Sequence, residues 1–327
     1  RDRLAATPLR ALPALLRGAA RHRDPLAHRM ALRGATPEAL VAALDAASPR
    51  ETGPVEPRRI AFVFSGNGAQ HAGMARGALA ASAAFRAGVA AADAALAPLL
   101  GWSVADCLDA GVSAEALAAT DIAQPLLFAV QHGIVAALAA EGIRPAFCLG
   151  HSVGEVAAAA ASGLLDLEAA ARLIVARSRH QHAMRGQGGM AALGATPEEA
   201  APVLAECGPG LEVAALNGPR ALTVAGPKPA LARLAAAAAE RQWACMPLDL
   251  DYAFHSAFMD PVRAPLLADL AGLATAEPAI PMISSVTGAV LEAGQGGPDY
   301  WWRNLREPVR FRDAVCAAAG AGAGLFI

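Results

Sequence analysis

The sequence lacks the marks of several large protein classes. Its cysteines are only five (Cys107, Cys148, Cys207, Cys245, Cys316), scattered and odd in number, with no C-x-x-C pair. That pattern fits a reduced, cytosolic chain better than a disulfide framework. No charge of one sign prevails: 27 Lys+Arg face 29 Asp+Glu, a formal net charge of −2. A nucleic-acid binder would carry a basic face, so that class is disfavoured. No uncharged apolar run approaches the roughly 18 residues that a membrane span needs. The chain is not polar enough for disorder, with 55% hydrophobic residues and a mean hydropathy of +0.36. Nor does it repeat itself at solenoid periods.

What is present is a long, alanine-rich chain. Its 327 residues allow one large domain or two ordinary ones of roughly 100–200 residues. Alanine favours helices but buries little area per residue. Charge is uneven along the chain. Residues 1–59 hold 11 arginines and 6 acids, a net of +5, and the remainder carries −7. Both ends read as cuts from a longer polypeptide. The Arg-rich start mimics a transit peptide, but a strand-helix unit follows it, so a linker is expected.

The pattern along the chain alternates. Residues 9–20 read as a helix, 28–33 as a strand, and 37–47 as a helix opened by a Thr36 cap. The turn-rich stretch 48–57 reads as a boundary. Arg59–Phe64 is a short apolar run, as expected of a buried strand. Helical patterns cover 77–100 and 124–140. A second buried strand, 145–149, runs into a helix over 155–162, and another helix follows over 167–184. Strands separated by long helices predict an α/β fold with a hydrolase-like large subdomain and a mainly parallel sheet. Residues 190–248 then read β-α-β-β-α-β, the order of a ferredoxin-like small subdomain inserted into the large one. The expected domains are 1–59, then 60–189 with 249–327, and 190–248.

The chemistry concentrates at Gly150-His151-Ser152-Val153-Gly154. This is a G-x-S-x-G sequence between a strand and a helix, the context of a nucleophile elbow. Ser152 is presented at the strand end above a helix N-terminus, where N–H groups and the helix dipole stabilise an oxyanion. A serine nucleophile needs a base. Of eight histidines, His22 and His28 fall in the linker and His132 in a helical stretch, where it is expected to pack. His180 and His182 stand among Arg177, Arg179 and Arg185, where solvation is the default. No third metal ligand is spaced with that H-x-H pair, so no metal site is expected. His255 differs, because it follows the insertion where the chain returns to the large subdomain.

On these residues the chain resembles the acyltransferase domain of modular type I polyketide synthases, relatives of the malonyl-CoA:acyl-carrier-protein transacylases. Phe62-Val-Phe-Ser-Gly-Asn-Gly-Ala-Gln-His-Ala-Gly-Met74 is similar to the family's opening F-V-F-P-G-Q-G-A-Q-W-x-G-M. Gly150–Glu155 matches its nucleophile motif and Tyr252–Ser256 its histidine motif. Tyr300–Phe311 is similar to Y-W-x-x-N-L-R-x-P-V-R-F. Residues 1–59 resemble the linker between a ketosynthase and its acyltransferase.

The resemblance implies the following roles. Ser152 is the nucleophile and forms an acyl ester, and His255 is its base in a dyad without a catalytic carboxylate. The backbone carbonyl of Asn304 holds the second nitrogen of His255. The N–H groups of Val153 and Asn67 form the oxyanion hole, Asn67 standing where the family has glutamine. Arg177, 25 residues after Ser152, grips a free carboxylate, for which a guanidinium is well shaped. Gln124, His151, Tyr252 and Phe254 belong to the substrate site. Val153 and Phe254 favour malonyl, whereas Tyr252 belongs to the methylmalonyl form of the motif, so malonyl with leakage to methylmalonyl is expected. No tightly bound cofactor is needed. Malonyl-CoA is the donor, and the acceptor is the phosphopantetheine of an acyl carrier protein, with a neighbouring ketosynthase and neither nucleic acid nor membrane as partner. Two other readings stand beside this one. A serine hydrolase would need Asp166, Asp249 or Asp251 as a triad acid. A non-catalytic scaffold would use the basic linker to meet an acidic carrier protein.

Overall fold

The computed structural model describes residues 1–22, 28–48, 53–54 and 58–327. The chain forms two compact units, Arg1–Arg58 and Arg59–Ile327. In the first unit a helix runs over Leu12–Arg21, preceded by a short 3-10 turn at Leu9–Ala11. A second helix spans Pro37–Ala46, and the Thr36 hydroxyl accepts from the Ala39 N–H at 3.2 Å, as the cap predicts. Of the strand expected over 28–33 only β1 (His28–Arg29) forms, and it pairs antiparallel with β2 (Gly53–Pro54). Most of the boundary stretch 48–57 lies outside the described residues.

The second unit carries two sheets. The larger is fully parallel: β3 (Arg59–Phe64) is flanked by β10 (Ala323–Phe326) and β4 (Phe147–Gly150), and β9 (Met282–Ile283) completes the order β10-β3-β4-β9. β4 is buried along its whole length, which explains its unbroken apolar run. The smaller sheet is antiparallel, built from β5 (Gly189–Leu193), β6 (Glu212–Gly218), β7 (Ala221–Gly226) and β8 (Cys245–Pro247) in the order β6-β7-β5-β8. Helices Pro197–Glu206 and Lys228–Glu240 complete the β-α-β-β-α-β order. This is the two-part α/β fold that the pattern predicts. The two parts meet where Ala214–Leu216 of β6 exchanges backbone hydrogen bonds with Val309 (2.8 and 2.9 Å).

The main core lies between the parallel sheet and its helices. Phe62, Phe64, Phe85, Phe128, Leu126 and Trp301 are among its buried side chains, each worth about 1.5–3 kcal/mol of apolar burial. Two helices, Ala83–Leu100 and Thr120–Ala140, are long and apolar enough in composition to cross a membrane. Arg86 and Asp93 break the first, whereas the second keeps an uncharged stretch from Ile122 to Ala140, longer than the sequence reading allowed and relieved only by the polar Gln124, Gln131 and His132. The two helices pack against each other in the core. Gly88 and Gly133 permit the close approach: a Cβ on Gly88 would stand 2.9 Å from the Gly133 Cα.

Candidate active site

The site is built on the turn from β4 into the helix Gly154–Ser162. Glycine is required at both ends of that turn. A Cβ on Gly150 would stand 2.2 Å from the Gly154 carbonyl carbon, and one on Gly154 would stand 2.2 Å from the Phe64 carbonyl oxygen. Both obstacles are backbone. Between them Ser152 adopts φ +53°, a left-handed conformation that is costly for a residue with a Cβ and recurs at functional turns. His255 shares it, at φ +57°.

Ser152 and His255 meet although 103 residues separate them. The Ser152 hydroxyl lies 2.7 Å from His255 Nε2. On the other side of the ring Nδ1 lies 3.0 Å from the backbone carbonyl of Glu307. A carbonyl only accepts, so Nδ1 carries the proton and Nε2 is left to accept from the serine. Here the structure corrects the expectation, which gave this role to the carbonyl of Asn304. Asn304 lies inside the helix Pro298–Arg306, its carbonyl aligned with the helix axis. Glu307, the first residue beyond the helix, is extended (φ −80°, ψ 159°) and turns its carbonyl to the imidazole. Asn304 remains in the site through its side chain. None of Asp166, Asp249 and Asp251 is hydrogen-bonded to His255. Asp166 caps the helix Leu167–His182, and Asp251 pairs with Lys228 at 2.7 Å.

Burial, and then the charges of Arg177 and His151, push the His255 imidazole down to about 3, against the opposing pull of the Glu307 carbonyl. The ring is neutral at physiological pH and ready to take a proton from Ser152. The acid limb of the acylation rate is therefore expected well below the ordinary histidine range near 6.5. Single-turnover acylation measured from pH 4 to 8 checks this. A limb centred near 6.5 would contradict it. The effect on stability has the same sign. The unfolded chain binds a proton on this histidine below about 6.5 and the folded chain refuses it, so stability falls as pH falls from there towards the depressed value.

Arg177 lies on the helix Leu167–His182 and is 1% exposed. Its Nη2 donates to the Ser152 hydroxyl at 3.0 Å. Nη1 donates to Gln124 Oε1 at 2.9 Å and to Gln181 Oε1 at 2.8 Å, and Nε donates to Asn304 Oδ1 at 3.3 Å. Gln124 Nε2 donates to Gln181 Oε1 at 2.7 Å, closing the ring of amides. Burial lowers the guanidinium to about 9, with the Glu155 charge opposing, so the group stays cationic at neutral pH. Contrary to the expectation of solvation, Arg179 and His180 on the same helix are engaged by the protein, and so is Arg172. Arg172 donates to the Asp269 and Ala271 carbonyls, Arg179 donates to the Leu99 carbonyl at 2.6 Å, and His180 pairs with Asp269 at 2.7 Å. His132 packs as expected, stacked on Phe128.

A cleft of about 210 Å³ opens over the serine, lined by Asn67, His151, Ser152, Gln181, Phe254 and His255 together with side chains of the small sheet. His151 Nε2 lies 2.8 Å from Asn217 Oδ1 of β6, a polar link between the two parts of the fold. Phe254 stacks on Tyr252 with centroids 4.8 Å apart. Tyr252 is buried behind it, its hydroxyl 3.1 Å from His182 Nδ1. Val153 sits at the helix N-terminus. Among the described residues no acceptor takes the N–H of Val153 or of Asn67. The side-chain oxygen of Asn67 is buried without a hydrogen-bond partner. No group of three or more His, Cys, Asp or Glu able to hold a metal occurs among the described residues.

Sequence reasoning missed Gln181, Glu155 and Glu307. Gln181 lies one turn beyond Arg177 on the same helix, a spacing that puts it on the same face and could have revealed it. Glu155 stands inside the nucleophile motif but gives no sign of its burial. Glu307 is an exposed-looking acid whose role is played by its backbone.

The family model described as "Acyl transferase domain" matches residues 61–327. Erythronolide synthase EryA3 of Saccharopolyspora erythraea is 40% identical over 276 residues, which cover 84% of this chain and 9% of that protein. The chain thus spans under a tenth of the length of that relative. The crystal structure of the acyltransferase domain from module 8 of the salinomycin polyketide synthase superposes with a TM-score of 0.87 at 33% identity, covering 97% of this chain and 80% of the other. The malonyl-CoA:acyl carrier protein transacylase of Xanthomonas oryzae pv. oryzae gives 0.75 at 28% identity, covering 83% and 87%. By the family match over residues 61–327 and the likeness to these solved structures, the chain belongs to the acyl transferase domain family and is an acyltransferase of the polyketide-synthase and malonyl-transacylase type.

Proposed function

We propose that the enzyme loads an extender unit, preferentially malonyl, from CoA onto the phosphopantetheine thiol of an acyl carrier protein. The observation that carries this reading is the buried guanidinium of Arg177, whose Nη2 lies 3.0 Å from the nucleophilic oxygen. A cation held that close to Ser152 suits an acyl group with a free carboxylate.

The transfer takes two steps. Ser152 Oγ attacks the thioester carbon while its proton passes to His255 Nε2. The oxyanion is received by the N–H groups of Val153 and Asn67. The carbon–sulfur bond then breaks, and His255 returns the proton to the departing CoA sulfur. In the second half His255 takes the proton of the carrier-protein thiol, whose sulfur attacks the acyl-serine carbon. The ester bond breaks and the proton goes back to Ser152 Oγ. No tightly bound cofactor takes part, because His255 moves every proton. The Glu307 carbonyl keeps the imidazole in the required tautomer, as the acid of a triad would.

Malonyl preference over methylmalonyl is supported by Phe254, a ring that lines the cleft and is fixed by its stack on Tyr252. One methyl group is worth about 1–3 kcal/mol of discrimination in an apolar pocket, so leakage is expected. Residues 1–59 are assigned to a linker from a neighbouring ketosynthase. Residues 60–189 with 249–327 are assigned to the large subdomain and 190–248 to the small one. Arg177→Ala tests the reading. It is expected to lower the ratio of malonyl to acetyl acylation about tenfold or more, the worth of a charge-assisted hydrogen-bond pair. An unchanged ratio would remove Arg177 from substrate selection.

A further inference from the structure

Glu155 is fully buried in the first turn of the helix behind Ser152, and the chemistry above makes no use of it. Four donors surround its carboxylate. Tyr300 Oη and the Ser285 N–H (3.1 Å) donate to Oε1. The Ser285 hydroxyl and Asn304 Nδ2, each at 2.7 Å, donate to Oε2. No Lys, Arg or His is hydrogen-bonded to it among the described residues. Asn304 is the link outward: its Nδ2 also donates to the Ser152 carbonyl at 3.2 Å, and its Oδ1 accepts from Arg177 Nε.

The polarity of this chain is fixed by its two ends. A carboxylate offers only acceptors and a guanidinium only donors. An amide between them has one satisfactory orientation, nitrogen towards Glu155 and oxygen towards Arg177. Arg177 Nη1 meets only neutral amides, Gln124 and Gln181, so no anion is bonded directly to the guanidinium. A direct ion pair would compete with an incoming carboxylate for its N–H groups. Interposing Asn304 keeps a balancing negative charge nearby and leaves the Nη2 edge turned to Ser152.

We propose that Glu155 is a positioning residue for Arg177, acting through the Asn304 amide, and that it thereby sets selectivity for acyl groups that bear a free carboxylate. This rests on the reading of Arg177 as the carboxylate anchor. Glutamine in place of Glu155 puts a donor into a shell made of donors. The Asn304 amide then loses its enforced orientation, and Arg177 loses both its Nε acceptor and the balancing charge.

A double-mutant cycle on the full chain tests this. Acyl-Ser152 formed from malonyl-CoA and from acetyl-CoA is measured by intact-protein mass spectrometry for the wild type, Glu155→Gln, Arg177→Ala and the double variant. Glu155→Gln is expected to lower the malonyl-to-acetyl ratio about tenfold and to lower it no further once Arg177 is alanine, the non-additivity of two residues acting as one unit. A Glu155→Gln protein that acylates more slowly with both donors at an unchanged ratio would overturn the proposal and leave Glu155 a core residue. An unchanged ratio in Arg177→Ala would overturn the anchor reading and this inference with it. If Glu155→Gln does not fold, Ser285→Ala removes one donor from the same carboxylate and is expected to lower the ratio about twofold to threefold. An unchanged ratio there would likewise overturn the proposal.

Discussion

Ser152→Ala is expected to abolish the covalent acyl-enzyme. The bond to the acyl carbon is made by Ser152 Oγ, and no other side chain stands in its place. His255 Nε2 is 2.7 Å away and Arg177 Nη2 is 3.0 Å away. Imidazole attack would have to come from a ring whose other nitrogen is held by the Glu307 carbonyl. Cys148, two residues into the preceding strand from Gly150, is fully buried, and burial pushes its thiol up to about 12, so it stays protonated and inert. Where a serine and its base act as a unit, removing the serine costs on the order of 10⁶ in rate. On the timescale of a mass-spectrometric assay this is no adduct at all. An undiminished malonyl adduct in Ser152→Ala would place the nucleophile elsewhere. The fold should survive, since the change removes one oxygen at a turn whose geometry is set by its glycines.

Those glycines give the second large effect. Gly154→Ala is expected to destabilise the protein by more than about 4 kcal/mol, the range reserved for severe steric or core damage. The added Cβ would lie 2.2 Å from the Phe64 carbonyl oxygen and 2.6 Å from that of Ser65. Both belong to the backbone at the end of β3, which pairs with β4, so relief requires the helix to move away from the sheet. For a unit of this size the shift in Tm is about 10 °C. Gly77→Ala is the matched control, because nothing lies within 4 Å of its Cβ position and alanine is the better helix former. Thermal melts of the two variants against the wild type decide the matter. A Gly154→Ala protein that melts with the wild type would show that the turn is looser than its contacts require.

The elements that the sequence revealed are those in which local pattern and tertiary environment agree. β3 and β4 are short apolar runs because a parallel strand covered on both faces has no polar side. The β-α-β-β-α-β insertion is legible because its short strands alternate with two separate helices, the first of which the structure shows to start at a Thr196–Glu199 capping box. Ser152 was readable because its turn needs glycines at fixed spacing. Position on a helix was harder to read. Arg177 looks like Arg172 and Arg179 in the sequence, and only its resemblance to a family set it apart. The chain turns that helix so that Arg177 faces inward among Gln124, Gln181 and Asn304, three residues from distant or unremarkable positions. The histidine partner was misplaced by three residues for a similar reason. A backbone carbonyl has no side-chain signature, and whether Asn304 or Glu307 supplies it depends on where the helix ends. Glu155 had no sequence sign, since an acid in the first turn of a helix is ordinarily a solvated one.

With Arg177 as anchor, Ser152 is expected to hold a carboxylate-bearing acyl group. This is tested most directly by mixing the protein with equal amounts of malonyl-, methylmalonyl- and acetyl-CoA and identifying the adduct by intact-protein mass spectrometry with peptide mapping. The expected result is a malonyl adduct on Ser152, with a minor methylmalonyl adduct and little acetyl. An acetyl adduct in excess, or a malonyl group on any other residue, would contradict the claim.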